Sequence, residues 1–139
     1  MGRNAKRTQA TRNDKGKQGL MKIKVDKLDI LFSQFIRLRA DGKCEYCGKY
    51  VGLARLQCSH FVGRRKRATR YDSDNACALD FSCHTYLQEH PYQHTEWFKK
   101  RLGSEKFEQL NIRAEQIVKI DKEATKADFL EKIRRLQNE

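Results

Sequence analysis

Cys44-Glu45-Tyr46-Cys47-Gly48 places two thiols three positions apart on a tight turn, with a glycine that permits the sharp backbone. Two thiolates so placed point inward and bind one metal ion. A second half would close the site, and Ala76-Cys77-Ala78-Leu79-Asp80-Phe81-Ser82-Cys83-His84 offers one in altered form. A Cys-x-x-Cys pair ending at Cys83 needs a cysteine at position 80, where Asp80 stands. Zinc accepts carboxylate oxygen, so Cys44, Cys47, Asp80 and Cys83 form a candidate Cys3Asp zinc site. Cys77 is the rival fourth ligand. In an extended segment Cys77 shares a face with Leu79, which favours the core, and Asp80 is preferred. Five cysteines is an odd number, and the charged N-terminus has no apolar core of an export signal, so a disulfide framework is not expected.

Ahead of the knuckle, Leu28, Leu31, Phe32, Phe35 and Leu38 recur at helical spacing with Ile36 beside them. Asp26 can cap the start and Gly42 sits where the helix should end, which predicts a helix over 26–40. Residues 1–25 read as a basic flexible arm. Nine Lys and Arg from Arg3 to Lys27 face only Asp14 and Asp26, Gly16 and Gly19 interrupt any helical pattern, and apolar residues are scarce. Such an arm would touch phosphates without reading sequence.

Behind the knuckle, Leu56-Gln57-Cys58-Ser59-His60-Phe61-Val62 is apolar and aromatic, and residues 43–62 read as a knuckle followed by a β-hairpin. Residues 63–70 form a polycationic loop, Asp72-Ser73-Asp74-Asn75 is turn chemistry, Ala76–Leu79 is a short extended piece, and Cys83-His84 opens a helical stretch. Beyond Pro91 the chain is helical. Tyr92, Trp97, Phe98 and Leu102 suit a helix ending at Gly103. Ser104 can cap the next, carrying Phe107, Leu110, Ile117 and Ile120. Thr125 with Asp128 reads as a capping box for a last helix with Phe129, Ile133 and Leu136. The aromatics of this third are assigned to core packing, and Cys58 to a buried thiol.

The 139 residues suffice for one domain. Thirty Lys and Arg against eighteen Asp and Glu give a formal net charge of +12. A polyanion is the natural partner of such a surface, with nucleic acid first and a membrane surface second. The longest apolar run, Leu28 to Phe32, is interrupted by Asp29, so no bilayer-spanning helix is expected. Net charge does not separate DNA from RNA.

His60 lies between the two halves of the knuckle, Asn75 follows the basic loop, and His84 follows Cys83. This order resembles the HNH, or ββα-metal, nuclease family, and more closely the phage recombination proteins of the lambda NinG (Rap) type. Carrying the resemblance are Leu31-Phe32-Ser33-Gln34-Phe35-Ile36-Arg37-Leu38-Arg39, Cys44-Glu45-Tyr46-Cys47-Gly48-Lys49, Gln57-Cys58-Ser59-His60-Phe61, Arg70-Tyr71-Asp72-Ser73-Asp74-Asn75 and Cys83-His84-Thr85-Tyr86-Leu87, over residues 28–110. It implies an α+β fold. A zinc-pinned ββα finger over 43–90 would be flanked by the N-terminal helix and a helical part over 92–139, all within one domain over 26–139.

The resemblance also implies a metal-dependent DNA endonuclease acting on branched recombination intermediates, with a structural zinc and a catalytic Mg2+ or Mn2+. In that pattern His60 is the general base, Asn75 orients the His60 segment, and His84 ligates the catalytic ion. The products would carry a 5′ phosphate and a 3′ hydroxyl. Arg64, Arg65, Lys66, Arg67 and Arg70, in the loop after the base, would clamp DNA phosphates. A cytoplasmic location follows, that of the bacterial host if the chain is phage-encoded. A homodimer through the C-terminal helices would suit a junction substrate, although no heptad seam is evident. Ser59 departs from the pattern, because many HNH enzymes place Asp or His just before the base. His90, His94, Asp72, Asp74 or mostly water would then complete the ion's shell, although His90 and His94, which flank Pro91 and Tyr92, are assigned to structural or solvated roles. A zinc-stabilised DNA-binding recombination accessory protein without catalysis would look similar.

Overall fold

The computed structural model describes residues 24–139, so most of the basic arm lies outside the described residues. Helix α1 spans Lys27–Arg39, one residue shorter at each end than the spacing predicts. Its first turn is closed by a reciprocal box: the Asp29 N–H donates to the Asp26 carboxylate at 3.0 Å, and the Asp26 N–H donates to that of Asp29 at 2.9 Å. Leu28, Phe32 and Ile36 form its buried face. After the helix, Asp41 and Gly42 both take positive φ. A Cβ on Gly42 would come within 2.5 Å of the Tyr50 ring, so only glycine fits beneath that side chain.

The knuckle follows. Its Cys44 N–H donates to the Lys49 carbonyl at 3.0 Å, and the Gly48 N–H donates back to Cys44 at 2.8 Å with Gly48 at φ 76°. Strand β1 (Gln57–His60) pairs antiparallel with β2 (Ala76–Leu79), in the register Gln57 to Leu79 and His60 to Ala76. The expected local hairpin within 43–62 is therefore reduced to a single bridge between Lys43 and Tyr50. The true partner of β1 lies beyond the basic loop, because Ala76, Cys77, Ala78 and Leu79 are all buried and form the more apolar strand. Part of the loop is itself ordered as one helical turn, α2 (Arg67–Arg70), around the buried Thr69.

Helix α3 (Phe81–Glu89) follows β2 directly. Pro91 then occupies the first turn of α4 (Pro91–Leu102), where its missing N–H is harmless. Gly103 ends α4 as predicted, and α5 spans Ser104–Ala114. Three C-terminal expectations are corrected. Gly103, not Ser104, is the N-cap of α5, and no side chain caps that end. Helix α5 stops at Ala114, leaving Ile117 fully exposed. The last helix, α6 (Lys122–Gln137), is capped by Asp121 rather than Thr125. The Asp121 carboxylate accepts the Ala124 N–H at 3.1 Å, and the Thr125 hydroxyl, inside the helix, donates to the Asp121 carbonyl at 2.8 Å.

The structure is thus a small α+β arrangement of six helices and a two-stranded sheet among the described residues. Helix α1 lies across the sheet and packs against α6. Phe32, Ile36, Leu79, Leu87, Phe98 and Leu110 are buried together in one core, each contributing on the order of 2 kcal/mol. Phe129 of α6 closes it, edge-on to Phe32 at 5.3 Å. No helix among the described residues is long and apolar enough to cross a membrane.

Candidate functional site

The thiols of Cys44, Cys47 and Cys83 and a carboxylate oxygen of Asp80 gather within 4.8 Å of one another. Tetrahedral zinc with Zn–S bonds of about 2.3 Å sets its sulfurs roughly 3.8 Å apart, so this donor set fits such an ion. Cys77, the rival ligand, is fully buried in β2 and takes no part. Asp80 serves two elements at once. One oxygen caps α3 by accepting the Cys83 N–H at 2.8 Å, while the other accepts the Cys47 thiol at 3.4 Å. These bonds, the Cys83 N–H first, hold its carboxyl below the usual range. Burial, then the neighbouring thiols and Asp80, push the Cys83 thiol up, a penalty that a bound cation would reverse.

Glu45, between the knuckle cysteines, ties the knuckle to the sheet. Its N–H donates to the Ala78 carbonyl at 2.9 Å, and its carboxylate accepts the Ala78 N–H at 2.6 Å. The same carboxylate receives Arg101 of α4 at 2.8 and 3.1 Å.

Beside the knuckle an open cleft of about 710 Å³ is lined by residues that include Asp29, Arg37, Gln57, Ser59, His60, Arg64, His84, Gln88 and His94. His60 and His84, distant in sequence, therefore face one hollow. The His60 Nε2 stands 2.9 Å from the Arg70 carbonyl. A carbonyl only accepts, so Nε2 carries the proton and Nδ1 keeps its lone pair. Burial lowers the His60 pKa, outweighing the Arg70 carbonyl that favours its charged form. Its ring lies 5.3 Å from that of Phe32.

Asn75 is fully buried and spans the loop between β1 and β2. Its Oδ1 accepts the Val62 N–H at 2.7 Å, and its Nδ2 donates to the carbonyls of Val62 and Thr69 at 2.9 and 3.0 Å. His84 lies on α3, with Nδ1 2.7 Å from Gln57 Oε1 and Nε2 3.3 Å from the Gln88 amide nitrogen. The two bonds agree on one tautomer, in which Nδ1 donates and Nε2 accepts. Ser59, before His60, is buried.

The side chains of the basic loop do not gather on one face. Arg64 lines the cleft, with only a loose 3.8 Å contact to Asp29. Lys66 pairs with Glu115 at 3.2 Å, and Arg67 lines a separate groove with Tyr71, Asp72 and Lys119. Arg65 is exposed. Arg70, expected among the phosphate ligands, is engaged within the fold. Its guanidinium grips both oxygens of buried Asp29, at 3.0 and 2.5 Å, and donates to the Lys24 carbonyl at 2.9 Å. Burial alone would raise the Asp29 pKa, but the Arg70 bonds and the Asp26 backbone hold it down.

Among the candidates for the ion's remaining shell, Asp72 and Asp74 are paired with Arg113 at 2.8 and 3.5 Å, outside the cleft. The His90 Nδ1 is bonded to the Tyr86 carbonyl at 2.7 Å. No second group of three His, Cys, Asp or Glu ligands gathers among the described residues. Arg37, Gln57 and Gln88 on the cleft wall escaped the sequence reading. A signal existed for Gln88, one helical turn after His84 and on its face. Cys58 is a half-buried thiol pushed up to about 12 by burial, hence inert.

Compared with protein-family profiles, curated proteins and solved structures, the chain matches none.

Proposed function

We propose that the protein is a metal-dependent endonuclease that hydrolyses DNA phosphodiester bonds, with β1, β2 and α3 as a ββα-metal finger and branched recombination intermediates as its substrate class. The observation that carries this reading is the placement of His60, His84 and Arg64 on one cleft beside a metal-competent Cys3Asp cluster. The resemblance to HNH and NinG-type proteins supports it.

His60 takes a proton from water through Nδ1, because Nε2 is committed to the Arg70 carbonyl. Burial keeps the ring neutral and ready to accept. Asn75 holds Val62 and Thr69, and so fixes the loop whose two ends carry His60 and Arg70. Arg64 and Arg37 present positive charge to the DNA backbone. The knuckle, loaded with zinc, pins the start of α3 and thereby the position of His84. The His84 Nε2 would hold a divalent ion in place of the Gln88 amide, and such an ion would supply positive charge to the scissile phosphate and the leaving oxygen.

Ser59 favours a second reading, a zinc-stabilised DNA-binding protein that assists recombination without cutting. It is buried and brings no charge to an ion beside His60. Nicking of supercoiled plasmid in Mg2+ or Mn2+, comparing wild type with His60→Ala, separates the two. Nicking abolished by the substitution supports the nuclease. Equal cutting removes His60 as base, and junction binding without any cutting favours the second reading. A four-way junction cut faster than a linear duplex of the same sequence supports the substrate class.

A further inference from the structure

Helix α4 brings to the cleft an imidazole with no part in the mechanism above. His94 lies one turn into α4, its N–H bonded to the His90 carbonyl at 2.9 Å. Its ring stands edge-on to Phe61 at 5.3 Å and to Phe98 at 6.2 Å, which fixes its orientation. Its Nε2 is buried and has no hydrogen-bond partner among the described residues. A buried, unpaired ring nitrogen is costly, and a fold that needed only an apolar contact at the edge of the stacked Phe61 and Phe98 rings would be better served by leucine. His94 lines the same cleft as His84 and is near enough to interact with it electrostatically.

We propose that the Nε2 atoms of His84 and His94 form a two-imidazole seat for one divalent transition-metal ion. The His84 ring is already set for this. Gln57 accepts from Nδ1, the outer bond that ligating histidines usually make, which leaves the Nε2 lone pair to the exposed Gln88 amide 3.3 Å away, a weak partner that an ion would displace. For His94, a cation would satisfy the nitrogen that the protein leaves unpaired. The second imidazole occupies the role that Ser59, buried and uncharged, does not fill. Two nitrogen donors favour manganese, cobalt and nickel in rising order, whereas magnesium prefers an all-oxygen shell. The ion's other positions remain for water and phosphate oxygen. The inference deepens the nuclease reading by completing the ion's seat, but it is tested without DNA, so each fails separately.

The zinc-loaded full chain is titrated with Ni2+, Mn2+ and Mg2+ by calorimetry, with zinc content checked afterwards. Wild type takes up one ion beyond the knuckle zinc, tightest for Ni2+ and weakest for Mg2+. His94→Leu, which keeps the apolar contact with the two phenyl rings, weakens Ni2+ binding at least about tenfold. His90→Gln, whose imidazole is bonded to the Tyr86 carbonyl outside the cleft, binds as wild type. Should the leucine variant fold poorly, Mn2+ broadening of the wild-type histidine NMR signals decides: His84 and His94 broaden ahead of His90. Uptake of the knuckle ion alone, unchanged Ni2+ affinity in a folded His94→Leu, or equal broadening of His90 overturns the seat. Two bound ions with no DNA cleavage would keep the seat and sink the nuclease.

Discussion

Asp80 and Cys83 are joined by a 2.8 Å bond from the Cys83 N–H to one Asp80 oxygen, while the second oxygen faces Cys47. A helix cap and a metal donor thus share one side chain, and two substitutions separate the roles. Asparagine keeps an oxygen for the Cys83 N–H but loses the charge that balances a cation; alanine loses both. Asp80→Asn should retain the cap and weaken zinc binding. Asp80→Ala should cost a further ~1 kcal/mol in thermal unfolding of the metal-free protein. Zinc content and unfolding temperature, measured on both variants, check this.

Because metal binding to such a cluster is also folding energy, a strong chelator should expose the core around β2 and α3. Loss of the near-ultraviolet dichroism of Trp97 and its aromatic neighbours, restored by added zinc, is the expected outcome. Cys77→Ala should leave zinc content unchanged, since Cys77 is buried in β2 and outside the cluster. A fall in zinc content on that substitution would contradict the ligand set.

The His60 pKa lies below the ordinary imidazole value of 6.5, chiefly through burial. Arg64 and Arg70 lower it further, while the Arg70 carbonyl and Asp29 raise it, and the Phe32 ring packed against it is neutral. A base must be unprotonated, so the midpoint of the acid limb of cleavage should lie below the ordinary imidazole value of 6.5. Stability runs the same way. A histidine with a depressed folded pKa contributes stability that is present above its unfolded value and is lost as pH falls. His60→Ala should remove that share of the acid sensitivity. A pH–rate profile and urea midpoints of both proteins across the acid limb test the pair of claims.

Asn75 satisfies three backbone groups from a site without solvent. Asn75→Ala leaves the Val62 N–H and two carbonyls unpaired and should destabilise the fold by about 3–5 kcal/mol. Asn75→Asp restores the acceptor for Val62 but turns an oxygen toward two carbonyls, so it should be no better. Urea unfolding of the two variants gives the numbers.

Local chemistry made parts of this structure legible. Helix α1 announced itself because Leu28, Phe32 and Ile36 repeat at helical spacing behind a capping Asp26. The cysteine knuckle is a single turn, and Asp80 stood where a ligand was missing. What the sequence hid depends on contacts between distant residues. Nothing local marks Arg70 as the partner of Asp29, 41 positions away, rather than of a phosphate. Nor does it show that Arg64 and Arg67 face different grooves, because Arg67 opens the turn of α2, which packs around buried Thr69, and Arg64 precedes it. Asp121 rather than Thr125 caps α6 because the chain between Ala114 and Lys122 is not helical, and the apolar spacing of Ile117 and Ile120 hides this: Ile117 is exposed.

The two arginines that flank this loop should therefore behave differently. Arg64 lies on the cleft with a loose contact, so Arg64→Ala should leave stability nearly unchanged, weaken DNA binding, and reduce the slope of log affinity against log salt by about 1. Arg70 forms a two-pronged pair with a buried carboxylate that a lysine ammonium cannot reproduce. Arg70→Lys should cost about 2–4 kcal/mol and shift the carbonyl that orients His60. Its loss of activity should then appear as a lower kcat at temperatures where the protein is still folded, with the salt slope of binding intact. Salt titrations of DNA binding beside thermal unfolding distinguish them: a reduced salt slope for Arg70→Lys, or none for Arg64→Ala, would reverse the assignment.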